Sequence, residues 1–232
     1  MKLTTNIRLE ELQSYLKGKS IAVIGSGTCI ENKEWGEDID SHDVVIRINN
    51  SFRNTTWQSE KHQKYVGKRT DIYIANGDTN NKRKWAVKAK QWGVKYILRL
   101  NPGAHGGIGL NNLQRQLLNE VSNVYMAWDF QEELSKLESD FGGRPASGAI
   151  LMKWLVTYIK YKSISLYGFD FFDEFKSIPD KWGQPAGGGI KYGKQNKYWN
   201  NYQCSWRGVH SMKAEKKFFR KYIDKYNIKH NI

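Results

Sequence analysis

The stretch IAVIGSGTCIENKEWGEDIDSHDVVIRIN, residues 21–49, sets the reading of the whole chain. IAVIG is a short, continuously apolar run that stops at a glycine, and DVVIRIN, later in the same stretch, is a second such run, so both read as buried strands. Outward from it the pattern repeats. RLEELQSYLK before it reads as a short helix, while DIYIAN, VKYILRL, NVYMAW and SISLYGFDFF after it read as further strands. Helical stretches fall between them, through KRKWAVKAKQWG, NNLQRQLLNE, QEELSKLES and the most apolar one, ASGAILMKWLVTYIKY. Short apolar runs alternating with helices predict an α/β domain with a mainly parallel central sheet and helices on both faces.

The chain has 232 residues and contains no Pro/Ser-rich linker, repeat or low-complexity tract, so a single domain over residues 1–232 is expected. Hydrophobic residues make up 39% and aromatics 13%, enough to bury a core and still line a cleft, which excludes a disordered chain. A net charge of +14 and a pI near 9.6 point to an anionic partner: nucleic acid, an anionic membrane face or a negatively charged small molecule. No window approaches a membrane span and the N-terminus lacks an apolar signal region, so a cytoplasmic protein is expected. Cys29 and Cys204 make no disulfide framework and match no metal spacing. A reducing compartment fits them.

Open α/β sheets bind ligands at the carboxyl ends of their strands, so the residues following each strand carry the functional reading. In VIGSGTC, Gly25, Ser26 and Gly27 follow the first strand, where backbone N–H groups suit an anion or nucleotide; the same pattern serves a tight strand-to-helix turn. Asn49 ends the second strand with a side chain that both donates and accepts. In GGRPASGAILMKWL, Ser147 is the expected N-cap of a helix whose start, with Gly148, suits a carboxylate or phosphate; a capped core helix reads equally well. Tyr167 closes a buried strand. Near the C-terminus, GVHSMKAE sets Glu215 five residues after His210, a spacing that means nothing by itself.

Together these pieces resemble glycosyltransferase family 29, the eukaryotic-type sialyltransferases. Residues 21–49 resemble the family's large motif, RPASGAILMKWLVTYIKYKSISLYGF its small motif, KYWN its third motif, and His210 with Glu215 its very small motif, H-x-x-x-x-E. All four stand in the family's order, and VGKRT also fits. The resemblance implies a Rossmann-like domain of the variant GT-A-like kind and inverting transfer from a CMP-activated sugar acid to an acceptor hydroxyl. Matched by position, Ser26 falls where the family usually has an asparagine, and Asn49 is the second nucleotide-binding asparagine. Ser147 and Gly148 lie near the donor's carboxylate. His210 becomes the catalytic base and Glu215 a supporting residue. A histidine with a pKa near 6.5 suits that work, accelerating proton removal from an alcohol by roughly a hundred- to ten-thousandfold. CMP leaves as a monophosphate, so hydrogen bonds, with Tyr167 and Tyr198 as candidates, stabilise it without a divalent ion. No cofactor and no metal are expected.

The D-x-D of Asp38 and Asp40 has the form by which other sugar-nucleotide transferases hold a metal, but it lies inside the large-motif match and reads as structural. The chain also departs from the family. Ile21 occupies the position of a cysteine that animal members pair with the small motif, Lys197 replaces the third motif's histidine, and Asn76 aligns with a tyrosine directed at the phosphate. Lys197 is expected to contact the donor's phosphate or carboxylate. Among the other histidines, His42 is expected to bond locally, His62 lies in a charged stretch, His105 in a glycine-rich loop and His230 in a polar tail. The C-terminal helix spaces Phe218, Phe219, Tyr222 and Tyr226 for one face; packing against the domain is expected, with peripheral attachment to anionic lipid as the alternative. The expected partners are a CMP-sugar donor and a glycan or glycolipid acceptor, as in a small microbial or viral member lacking an anchor. CMP-Kdo is the alternative donor. A nucleic-acid binder would explain the charge, but no such motif is present, and the dinucleotide fingerprint is incomplete.

Overall fold

The computed structural model describes residues 7–25, 27–48, 60–74, 93–101, 123–169 and 212–231. Seven strands form one sheet: β1 (Ser20–Ile24), β2 (Val44–Ile48), β3 (Ile72–Ile74), β4 (Tyr96–Arg99), β5 (Val124–Met126), β6 (Ser163–Tyr167) and β7 (Lys229–Asn231). Their spatial order is β5-β4-β3-β2-β1-β6-β7, and every neighbouring pair is parallel. The α/β reading of the sequence is therefore correct. From β1 to β5 the chain steps strand by strand in one direction; β6 then returns to the other side of β1. That reversal makes β1 and β6 the switch point, where such sheets open a crevice at their carboxyl ends.

The described helices are α1 (Leu9–Leu16), α2 (Gly36–Ser41), α3 (Glu60–Val66), α4 (Gln131–Phe141), α5 (Ser147–Tyr158) and α6 (Met212–Tyr226), with short 3-10 turns at Thr28–Asn32 and Trp128–Phe130. Alternate residues of each strand point to opposite faces. On one face Ile21, Val23, Val44, Ile46, Ile164 and Leu166 share a core with Leu12 and Leu16 of α1, Leu134 of α4 and Trp154 of α5. On the other, Ala22, Ile24, Val45, Tyr73 and Tyr167 pack with Ile39 of α2 and Val66 of α3. Both faces are covered, which is why β1 and β2 read as unbroken apolar runs. α5 buries Ala149, Ile150, Leu151, Met152, Trp154 and Leu155, so it is a core helix rather than an amphipathic surface one.

α4 stops at Gly142, whose φ of 61° suits a residue without Cβ, and its N–H returns to Ser139 O at 3.1 Å. α6 buries Phe218 and Phe219, and Phe218 stacks on Tyr222 with ring centroids 3.9 Å apart. The terminal helix is thus packed on the domain by its aromatic side. The stretch taken for a polar tail is strand β7: Lys229, His230 and Asn231 pair with Ser165, Leu166 and Tyr167. Helices expected over residues 82–92 and 111–120 lie outside the described residues. Among those described, no helix is long and apolar enough to cross a membrane.

Candidate active site

The carboxyl ends of β1 and β6 approach closely. Gly25 N donates to Tyr167 O at 2.8 Å and Gly27 N to Gly168 O at 2.8 Å. These two amides, read as suiting either an anion or a tight turn, bond to the backbone at the end of β6. Gly25 is needed for the approach itself: a Cβ there would stand 2.5 Å from Gly168 O and 3.0 Å from the Phe169 ring. Gly168, with φ of 69°, turns the chain out of β6 in a conformation that favours glycine.

α5 begins against this junction. Ser147 is its first helical residue and Ala146 is the N-cap, so the cap falls one residue earlier than expected and carries no side-chain hydroxyl. The Ala146 N–H is satisfied from elsewhere, by Glu215 Oε1 at 2.5 Å. A Cβ on Gly148 would lie 2.9 Å from the Phe169 ring and 3.4 Å from that of Phe219. Gly25 and Gly148, far apart in sequence, therefore meet on one aromatic ring. Phe169 itself packs on Phe219 at 5.4 Å between centroids, and its carbonyl oxygen lies 2.7 Å from His230 Nε2.

Glu215 is 3% exposed, and burial raises its carboxyl to about 7, partly offset by the Ala146 N–H. The start of α5 favours the ionised form, since a helix N-terminus attracts negative charge. One carboxylate thus ties the first turn of α6 to the first turn of α5.

Tyr167 belongs to a different environment. Its side chain is fully buried on the α2 face of the sheet, and its hydroxyl donates to Asp38 Oδ2 at 2.6 Å. Burial and then the Asp38 carboxylate push its phenol well above the usual range. Trp35 and His42 meet its ring edge-on at 5.7 and 5.9 Å. In this structure the Tyr167 hydroxyl, read from the sequence as a donor contact, spends its proton on Asp38. His42 bonds locally, as expected, its Nδ1 2.8 Å from Asp38 O and its Nε2 3.0 Å from Ser165 Oγ. Asp40 accepts the backbone N–H groups of Lys68 and Arg69 at 2.9 and 3.0 Å. Both members of the D-x-D are committed to the protein, and among the described residues no cluster of three ligating side chains could hold a metal.

Of the residues read from the sequence, the structure brings Gly25, Gly148 and Glu215 to one junction, with Gly27 and Ser147 beside it. Ser26, Asn49, Asn76, Lys197, Tyr198 and His210 lie outside the described residues. Sequence reasoning did not single out Phe169, His230 or Ala146. An aromatic directly after the strand-ending glycine was the available signal for Phe169; nothing in KHN marked His230.

Residues 3–102 match the family model "Glycosyltransferase family 29 (sialyltransferase)". The match runs from α1 to just beyond β4 and contains Gly25, Gly27, Asp38 and Asp40. The chain is also 36% identical, over 59 residues, to a beta-1,6-galactosyltransferase of Arabidopsis thaliana; the match covers 25% of this chain and 13% of that protein. Two crystal structures of a mammalian sialyltransferase align with 92% of the chain at a TM-score of 0.48. One, in complex with Gal-beta-1-3GalNAc-ortho-nitrophenol, is 15% identical and has 69% of its length covered; the other is 16% identical with 68% covered.

Proposed function

We propose that the chain is an inverting, metal-independent transferase that moves a sialic acid, or a related sugar acid, from a CMP-activated donor to a hydroxyl of a glycan or glycolipid. His210 takes the acceptor's proton as its oxygen attacks the anomeric carbon, and CMP leaves with the electron pair of the broken bond on its phosphate oxygen. Glu215 is a positioning residue. The observation that carries the reading is the family match over residues 3–102. The bond from Glu215 to Ala146 supports it: the glutamate of H-x-x-x-x-E reaches the helix start that carries Ser147 and Gly148. Two motifs that the resemblance joins by function are thereby joined by contact.

A hexose donor is the second reading, favoured by the likeness to a galactosyltransferase over 59 residues. Thermal melts with CMP, UMP, AMP and NADH separate the two. At about one hundred times Kd a ligand adds about 2.7 kcal/mol, which raises Tm by roughly 5–11 °C for a chain of this size. Protection by CMP alone supports the sugar-acid donor and leads to transfer assays with CMP-sialic acid and CMP-Kdo. Protection by UMP in place of CMP favours the hexose. Absence of any CMP shift in the folded protein overturns the proposal.

A further inference from the structure

Two arginines are buried on the same face of the sheet, and their surroundings differ. Arg47 on β2 is 1% exposed. Its Nε donates to Arg69 O at 3.1 Å and Thr70 Oγ1 at 2.9 Å, and its Nη2 to Val66 O at 2.6 Å and Gly67 O at 3.2 Å. That guanidinium fastens the end of α3 to the sheet, a structural task that uses its donors. Arg99, the last residue of β4, is 9% exposed. Arg47 pairs with Tyr73 and Tyr73 with Ile97, two residues before Arg99, so the pleat sends both arginines to one face. The Arg99 Nε is wholly buried and has no hydrogen-bond partner among the described residues. Burial holds its guanidinium below the usual range, and among the described residues no acidic side chain offsets that effect.

A buried charge without a counter-charge is strongly unfavourable, and apolar residues of similar volume stabilise such positions better. A strand-end arginine in this condition fits a site whose counter-charge arrives with a ligand. Its place agrees, because β4 ends at the sheet edge where α/β proteins bind their ligands. The chemistry agrees as well: a guanidinium presents planar paired donors that match a phosphate or carboxylate, and a chain of net charge +14 concentrates such anions around it.

We propose that Arg99 anchors an oxyanion subsite at the carboxyl end of β4, where the phosphate or carboxylate of a bound ligand supplies the missing counter-charge. β4 stands three strand spacings from β1, about 14 Å, so this subsite is separate from the Gly25–Gly148 junction. It stands on the sheet geometry and on Arg99, and it goes beyond the donor assignment. A nucleotide phosphate and an acidic group on the acceptor share the required chemistry.

Thermal melts of the full chain at low ionic strength test it, with wild type, Arg99→Met and Arg99→Gln in inorganic phosphate, CMP and cytidine. Without ligand, Arg99→Met is expected to melt at or above the wild-type temperature. Inorganic phosphate at about one hundred times Kd is expected to raise the wild-type Tm by roughly 5–11 °C, and each variant by clearly less. The difference between proteins is the readout, because so basic a surface gains from any polyvalent anion. CMP protection that exceeds cytidine protection only when Arg99 is present assigns the oxyanion to the nucleotide. CMP protection equal in all three proteins, with phosphate protection still dependent on Arg99, assigns it to the acceptor. Equal phosphate protection of wild type and variants, no protection of wild type, or failure of both variants to fold overturns the proposal.

Discussion

Glu215 Oε1 accepts the backbone N–H of Ala146 at 2.5 Å, joining the first turn of α6 to the N-cap of α5. The bond caps a helix whose own N-cap residue has no polar side chain, and burial makes the carboxyl that forms it reluctant to ionise, at about 7. A folded pKa above the unfolded one means that the native state keeps a proton that the unfolded chain has already released. The resulting stabilisation is complete below about pH 4.5 and is lost as pH rises through about 7, a change on the order of 3 kcal/mol. Glu215→Gln keeps the acceptor oxygen without the titration. Urea denaturation from pH 4.5 to 7.5 is expected to show wild-type stability falling relative to Glu215→Gln as pH rises. Parallel curves for the two proteins would mean that this carboxyl titrates normally.

Gly25 and Gly148 both face Phe169, but an alanine at each meets a different obstacle. At Gly25 the nearest atom is a backbone carbonyl oxygen of the neighbouring strand end, at 2.5 Å, which cannot move without separating β1 from β6. At Gly148 it is a ring carbon at 2.9 Å, and a ring can turn. Alanine also favours the helix by about 1 kcal/mol over glycine. Gly25→Ala is therefore expected to cost about 1–3 kcal/mol, and Gly148→Ala less. The order of the two urea midpoints checks this, and the reverse order would contradict the packing described around Phe169.

Tyr167 is the residue whose sequence reading and structural position differ most. Its hydroxyl serves Asp38 on the α2 face, away from the start of α5. Tyr167→Phe is expected to lower stability by about 1–2 kcal/mol while leaving the concentration dependence of CMP protection unchanged. Weakened CMP protection in a stable Tyr167→Phe protein would return the hydroxyl to the donor site.

The sheet was legible because its strands are buried on both sides, leaving runs such as IAVI and VVIRI that no surface element would carry. α5 was legible for the same reason. The elements that escaped are held by contacts the sequence does not display. α2 is a polar hexapeptide, GEDIDS, anchored by Ile39 and by the side-chain bonds of Asp38 and Asp40. β7 has three polar residues and exists because β6 offers it an edge. At the junction, sequence position identified Gly25, Gly148 and Glu215 as important, but the reason for the glycines is the ring of Phe169. That contact links residues 25, 148 and 169 only after the sheet has folded.

The proposed base lies outside the described residues, whereas the glutamate of its motif lies within them. Glu215, five residues after His210, sits buried in the first turn of α6. Its bond to Ala146 ties the first turn of α6 to the helix start that carries Ser147 and Gly148. If His210 removes the acceptor's proton, its loss removes a transition-state contribution and no ground-state contact with the nucleotide. His210→Ala is then expected to slow transfer from CMP-sialic acid by roughly a hundred- to ten-thousandfold, with CMP protection of Tm preserved. The residual rate should also lose the acid limb that protonation of an imidazole imposes near pH 6.5 on the wild-type profile. Transfer near the wild-type rate, or a residual activity with the same acid limb, assigns the base to another residue.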